Sequence, residues 1–335
     1  MHTKKSGAIL YAFLAAAFYA LNMPLSKLLL QKIEPTLMAA FLYLGAGIGI
    51  SLIFLFTSRN IKQEDKLSKK ELPYVIGMIL LDIAAPIFLM IGLTSATSAN
   101  ASLLNNFEIV ATSLIAMFVF KELISPRLWI AILLITFSSM LLSFEDMSSL
   151  TFSLGSVFVL AAALCWGFEN NITRKISSKN TYQIVMLKGI FSGLGSFLIA
   201  LFLGENFPQI QYVLLAMLLG FVAYGLSIFL YVRAQKELGA AKTSAYYAVA
   251  PFIGALLSFL ILKEAITDYY VIAFLIMTAG SVLVVMDTMI TSHSHLHTHT
   301  FVEIKNGAEV SYEIEHSHEH NHFVSEKHSH RHKTD

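Results

Sequence analysis

The sequence predicts an all-α polytopic membrane protein, with ten transmembrane helices built as two inverted five-helix repeats and followed by a disordered His-rich C-terminal tail. Three observations carry that prediction: recurrent apolar runs about twenty residues long, loops sorted by charge, and self-similarity between the two halves. Of 335 residues, 56% are hydrophobic and only 13% charged, whereas an ordinary soluble domain is about a quarter charged. Each apolar run is long enough to cross about 30 Å of hydrocarbon as a helix. A net charge of +1 supplies no basic footprint for nucleic acid, so the main partner is the lipid bilayer. The sole cysteine, Cys165, excludes an intrachain disulfide.

Charged breaks between the runs place the helices at 7–29, 35–57, 72–93, 98–120, 127–144, 154–173, 181–203, 211–232, 239–262 and 268–288. The first begins "MHTKKSGAILYAFLAAAFYALN", with a charge pattern like that of a signal peptide. It runs on without a polar stop into "MPLSKLLL", which favours a retained helix. Pro24 is tolerable there because lipid-embedded helices re-satisfy the carbonyl that a proline frees. The loops on one side carry Lys4, Lys5, Arg59, Lys62, Lys66, Lys69, Lys70, Lys121, Arg127, Arg174, Lys175, Lys179, Arg233, Lys236 and Lys242; those on the other carry only Lys27, Lys32 and Lys263. The positive-inside rule then puts both termini in the cytoplasm of a cell whose plasma (inner) membrane holds the protein.

Sliding residues 99–143 by 142 positions superposes "FVFKELISPRLWIAILLITFSSMLL" on "FLILKEAITDYYVIAFLIMTAGSVLV", with 12 identities in 45 positions. Lys121 meets Lys263 and Glu122 meets Glu264. An odd number of helices per half makes the second half enter the membrane upside down. The chain therefore divides into a cytoplasmic N-terminus (1–6), a first repeat (7–144), a second repeat (154–288) and a tail (289–335). Inverted repeats are a recurrent plan of secondary transporters, whose solute site lies near the midplane between the halves.

With ten helices in two repeats and an "A-x-x-S…K-E" pattern at Ala99–Glu122 and again at Ala241–Glu264, the chain resembles the drug/metabolite transporter superfamily, EamA-type. The resemblance covers 7–288. It implies gradient-driven movement of small metabolites, such as amino acids, nucleotides or toxic analogues. No "GxxxxGK[ST]" loop for ATP is present. Two positions depart from the family pattern: Leu42 stands where an arginine is frequent, and Ile109 where the second repeat has Pro251.

Polar residues inside apolar helices are the candidates for function. At 100° per residue, Ser102, Asn105, Asn106, Glu108, Thr112 and Ser113 share one arc of the fourth helix. Glu108 lies about 15 Å deep, where an ionised carboxylate costs roughly 3 kcal/mol. Asp82 is at similar depth in the third helix, and the short "TSATS" turn is expected to lay the two helices side by side. Glu108, with Asp82 as neighbour, is thus the candidate for proton coupling; a structural hydrogen bond between helices is the competing role. Glu169 and Asn170 of the sixth helix, Lys188 of the seventh, Asn22 of the first, Asn105, Asn106 and Tyr247 are candidates for solute binding. Glu169 and Lys188 are also placed to form an internal ion pair. Gly45 with Gly49 and Gly189 with Gly193 have the GxxxG spacing of close helix packing, within one chain or across a homodimer.

The tail holds eleven of the twelve histidines: His293, His295, His297 and His299; His316, His318, His320 and His322; His328, His330 and His332. Imidazole suits Zn, Ni or Co, so divalent metal is a possible partner of the tail, as regulator or buffer, while no cofactor is required. Metal is not the expected cargo, because none of the ten helices contains histidine. The function read from the sequence is a secondary active transporter of small polar metabolites, proton-coupled. The alternatives are a transporter of divalent metal or a metal chelate, and a membrane metal sensor that transports nothing. No "HExxH" or other catalytic signature marks it as an enzyme.

Overall fold

The computed structural model describes residues 2–57, 66–121, 124–146, 151–176, 179–238, 243, 246–288, 290–305 and 308–323. The bundle is helical throughout. In chain order its helices are α1 (His2–Ala20), α2 (Asn22–Leu29), α3 (Pro35–Thr57), α4 (Leu72–Ser95), α5 (Ser98–Leu104), α6 (Phe107–Phe120), α7 (Pro126–Ser143), α8 (Leu154–Arg174), α9 (Thr181–Leu203), α10 (Ile210–Gly220), α11 (Ser227–Leu238), α12 (Ala250–Leu262) and α13 (Asp268–Thr288). A π-helical turn, Phe221–Leu226, joins α10 to α11.

Among the described residues, eight helical stretches are long and apolar enough to cross a membrane, including Gly7–Leu29, Ser98–Val119 and Ile210–Ala234. The other two expected spans have reasons to read as less apolar. In α8 the sequence Glu169-Asn170-Asn171 interrupts the hydrophobic run. The ninth span is represented by α12, thirteen residues long, and much of its expected first half lies outside the described residues.

The exterior is greasy, and the largely apolar interior also holds polar and charged groups. Phe202 is 93% exposed and Phe56 85%, whereas Asn22, Asp82, Ser138 and Ser192 are fully buried. Such a distribution suits a molecule whose solvent is hydrocarbon.

Packing follows the repeat. α3 lies along α9, α7 along α13, and α5 against α12, each helix meeting its counterpart in the other half. α4 packs on α8 while α1 packs on α11. A second mark of the duplication is conformational. Lys121 and Lys263, which the 142-residue offset equates, both end their helices with left-handed backbone, at φ 59° and 54°. No other non-glycine residue among those described has positive φ.

The GxxxG glycines act inside the chain. A Cβ on Gly189 would stand 2.5 Å from the Gly47 backbone, and one on Gly45 would stand 2.0 Å from the Met217 carbonyl oxygen. Backbones therefore touch at the α3–α9 and α3–α10 crossings, which gives van der Waals contact where lipid leaves little hydrophobic drive.

The tail departs from expectation. Instead of disorder, Ile290–Lys305 (β1) and Ala308–Phe323 (β2) pair as one antiparallel hairpin. The reason is legible afterwards: Thr, Ser, His and apolar residues alternate with a period of two, the strand period. His328, His330 and His332 lie outside the described residues. A shorter strand pair, Phe144–Asp146 with Thr151–Phe152, links α7 to α8.

Gly189→Leu is expected to lower the melting temperature of the detergent-solubilised protein, since forced overpacking costs about 1–3 kcal/mol. Gly7→Ala, at a position with nothing within 4 Å of the added methyl, is expected to leave it unchanged.

Candidate solute site

The fourth and ninth expected spans break at equivalent places inside the bundle; the first also breaks, at Leu21. The fourth expected span stops after Leu104, passes through Asn105 and Asn106 as a turn, and restarts as α6 at Phe107. The ninth turns at Ala248 and Val249 and restarts as α12, with Pro251 in its first turn. The offset equates Asn106 with Ala248. Proline suits that position, because its missing N–H is one the first helical turn leaves unpaired anyway. Asparagine side chains compete with the helical backbone for hydrogen bonds, so the Asn pair is a natural breakpoint. Glu108 then falls in the first turn of α6, where the positive end of the helix dipole favours a carboxylate.

Between the breaks lies a cavity of about 520 Å³. Its walls include Asn105, Asn106 and Glu108 from the first break; Tyr247, Ala248 and Pro251 from the second; Trp166, Glu169, Asn170 and Thr173 from α8; and Lys188 from α9. Tyr19, Tyr43, Tyr224 and Tyr231 complete it. The rings form a connected wall: Tyr19 lies 5.9 Å from both Tyr224 and Tyr247, Tyr43 lies 5.4 Å from Tyr224, and Tyr231 lies 5.1 Å from Tyr247, between centroids.

The charged groups sort into two sets. Lys188 is held between Asp82 and Glu169, with Nζ 3.1 Å from an oxygen of each. The Tyr43 hydroxyl donates to Asp82 Oδ1 at 3.1 Å, and the Thr173 hydroxyl donates to Glu169. Glu108 stands apart from this triad: Asn170 Nδ2 donates to its Oε1 at 2.7 Å, and Asn170 also reaches Thr112 Oγ1 at 3.3 Å. Asn105 Nδ2 donates to the Tyr19 hydroxyl at 3.1 Å. The Asn105 Oδ1 acceptor and the Asn106 Nδ2 donor are buried without a partner.

Seven of the nine expected pathway residues line the cavity: Glu108, Asn105, Asn106, Glu169, Asn170, Lys188 and Tyr247. Two do not. Asp82 is not the neighbour of Glu108; its partners are Lys188 and Tyr43, because α4 packs against α8 and α9 rather than along the broken helix that follows it. Asn22 is fully buried behind the wall, where its Nδ2 donates to the Tyr224 hydroxyl at 2.9 Å and its Oδ1 accepts from Ser26 at 3.1 Å. It orients a wall residue instead of facing a solute. The sequence reading overlooked Tyr43, Tyr224 and Tyr231. Tyr224 sits in the π-helical turn, a distortion frequent at functional sites that residue spacing does not announce.

The end of the bundle away from Thr173 is clasped by charge. Lys27 Nζ donates to the carbonyls of Leu93, Ala96 and Thr94 at 2.5, 2.8 and 3.1 Å, which covers the negative end of α4. The Glu264 carboxylate accepts from the N–H groups of Ser98 and Ala99 at 2.7 and 2.9 Å, at the positive start of α5. One short turn is thus gripped by a cation from the first half and an anion from the second, each on the helix end its charge suits. Its repeat mate Glu122 lies outside the described residues. Glu205 makes a similar bracket on Thr36 and Leu37, at 3.0 and 2.7 Å.

A helical membrane bundle of two related halves, with broken helices meeting at a cavity where charged and amide groups face a largely aromatic wall, has the architecture of a secondary transporter. The chain belongs to the EamA-like transporter family, whose model matches residues 6–144 and 153–286. It is similar to an uncharacterized transporter of Methanothermobacter thermautotrophicus, 27% identical over 285 residues that cover 79% of this chain and 82% of the relative. It is also similar to the uncharacterized transporter YyaM of Bacillus subtilis, 22% identical over 293 residues, with 82% and 90% covered. One solved crystal structure shares the fold at a TM-score of 0.61 and 17% identity, covering 84% of this chain and 98% of its own.

Lys188→Met is expected to destabilise the protein by about 3–5 kcal/mol, because it leaves buried carboxylates without their counter-charge. Adding Asp82→Asn and Glu169→Gln is expected to restore most of the melting temperature. Equal melting of the single and triple variants would show that the triad carries no such coupling.

Proposed function

We propose that the protein moves small amine-bearing metabolites, amino acids or their relatives, across the plasma membrane in exchange for protons. Ten membrane crossings, with both termini in the cytoplasm, complete the arrangement. The observation that carries this reading is the pair of matched helix breaks around one cavity, with an unpaired acceptor and donor at Asn105 and Asn106 and a carboxylate beside them. A cavity of about 520 Å³ falls in the range of small-ligand sites, about 300–1,000 Å³. Its aromatic wall suits an apolar or aromatic side group and offers ring faces to a cation.

Charge decides the polarity of the solute. Asp82, Glu169 and Glu108 face one cation, Lys188, and Lys188 is already committed to the first two. Glu108 therefore needs a cation from outside the chain, either a proton or the amine of the solute. Competition between the two for one carboxylate is the simplest route to obligatory exchange. The unpaired amide groups of Asn105 and Asn106 would take the polar remainder of the solute. The rings and amides of the wall favour an organic solute over a bare metal ion, and among the described residues of the helical bundle no three His, Cys, Asp or Glu side chains come together as a metal site.

Alternating access follows from the clasp. With Lys27 and Glu264 in place, the extracellular end is closed over the cavity; releasing the turn between α4 and α5 opens it. The His-rich tail is a cytoplasmic metal-binding appendage. Flux that survives deletion of 291–335 separates this transporter from a membrane metal sensor, which would show no flux at all.

In proteoliposomes, Glu108→Gln is expected to abolish proton-driven uptake of a radiolabelled amine metabolite found by thermal-shift screening, while the screening shift with a neutral analogue persists. Wild-type flux with wild-type pH dependence in that variant would refute the coupling role.

Glu264→Ala is expected to open the extracellular end. In a Cys165→Ala background, a cysteine introduced by Ser102→Cys, at a buried position beneath the clasp, should react with an impermeant thiol reagent several-fold faster once Glu264 is replaced. An unchanged rate would mean that the clasp does not gate access.

A further inference from the structure

We infer that the tail hairpin is a histidine ladder that binds a borderline divalent transition metal where its register sets histidines opposite one another. The inference rests on the metal-binding reading of the tail and not on the identity of the solute.

The register supplies the argument. Across the hairpin His293 pairs with His320, His295 with His318, and His297 with His316. Three consecutive positions of one strand's alternate set therefore oppose three of the other's. His322 opposite Thr291 and His299 opposite Ile314 extend the same set by one place at each end. Successive strand residues alternate between faces, so all eight histidines of the two clusters occupy positions of a single face. Directly opposed residues have Cβ atoms about 4.5–5.5 Å apart, and next-nearest residues on one strand are about 7 Å apart. Two adjacent pairs thus bring four histidine positions together on one face, the number of ligands that a tetrahedral ion takes.

Chemistry narrows the metal. The acidic residues interleaved with the histidines, Glu315 and Glu319, pair with Thr298 and Ser294 and so take positions of the other face. The ladder is an all-nitrogen donor set, which selects Zn, Ni, Cu or Co over the oxygen-seeking Mg and Ca. A flexible polyhistidine segment would need no such register. The hairpin does, and its spacing makes two adjacent pairs, not the total number of histidines, the unit of binding.

Two full-length variants with equal histidine counts test this by calorimetric titration with Zn²⁺ in detergent. The first, His293→Ser, His299→Ser, His320→Ser and His322→Ser, keeps two adjacent cross-strand pairs. The second, His316→Ser, His318→Ser, His320→Ser and His322→Ser, keeps four histidines on one strand. The ladder predicts Zn²⁺ binding at least tenfold tighter in the first. Equal affinities would overturn it in favour of an unstructured chelator, and absence of Zn²⁺ binding in the wild-type protein would overturn the metal reading of the tail as well. Solute flux measured on the same preparations reports separately on the transporter reading.

Discussion

Hydrocarbon cannot hydrogen-bond a peptide group, and that constraint decides where this chain is allowed to be irregular. Each break in a lipid-embedded helix frees N–H and C=O groups that cost several kcal/mol if left unmet. The breaks after Leu104 and before Ala250 flank one cavity, which carries the bundle's amide and charged groups among its rings. The π-helical turn at Phe221–Leu226 brings Tyr224 to the same cavity. Irregular backbone, polar side chains and buried charge are therefore one feature seen three ways. At the first break the backbone keeps partners of its own, with the N–H groups of Asn106, Glu108 and Ile109 donating to the carbonyls of Leu103, Asn105 and Asn106, and the lipid-facing surface stays apolar.

The second consequence concerns charge. A lone lysine or carboxylate at such depth would be prohibitive, but Lys188 sits between two carboxylates and each carboxylate has a further hydroxyl donor. The triad closes on itself and acts as a fixed strut between α4, α8 and α9. That closure isolates Glu108, whose described partner is a neutral amide. Charge paired with Lys188 and charge left to a neutral amide are thus divided between different carboxylates, a division that proximity in sequence would have obscured.

Much of the fold was legible because membrane helices are written in blunt terms: length, apolarity, loop charge and a duplicated stretch with its Lys-Glu pair. The polar residues of the interior were legible for the same reason, since Asn105, Asn106, Glu108, Glu169 and Lys188 are conspicuous in apolar runs. What could not be read was which helix each would face. The side-by-side placement of Asp82 and Glu108 failed because a short turn fixes where two helices start, not the neighbours they keep along their length. Asn22 failed because a polar residue on the inner face of a helix can serve the wall behind the cavity as well as its surface. Tyr43, Tyr224 and Tyr231 were invisible since an aromatic residue is unremarkable in a chain with 25 Phe and 13 Tyr. The tail was misjudged on composition, where low apolarity outweighed the strand-like alternation that its backbone follows.

The two repeats also show how a duplicated helix pair can divide its labour. Lys121 and Lys263 keep the same left-handed cap, and both broken helices keep their break, so the mechanical part of the unit is common to both halves. The chemistry beside the break has diverged: Asn105-Asn106-Phe107-Glu108 in one half stands against Tyr247-Ala248-Val249-Ala250 in the other. One half supplies hydrogen-bonding groups and a carboxylate, the other an aromatic wall and a proline that fixes the turn. A symmetric pair of carboxylates would repel across a cavity this small. Asymmetry at the breaks, on a scaffold that stays symmetric elsewhere, gives the cavity one carboxylate, Glu108, that is not paired with Lys188 and that faces an aromatic wall.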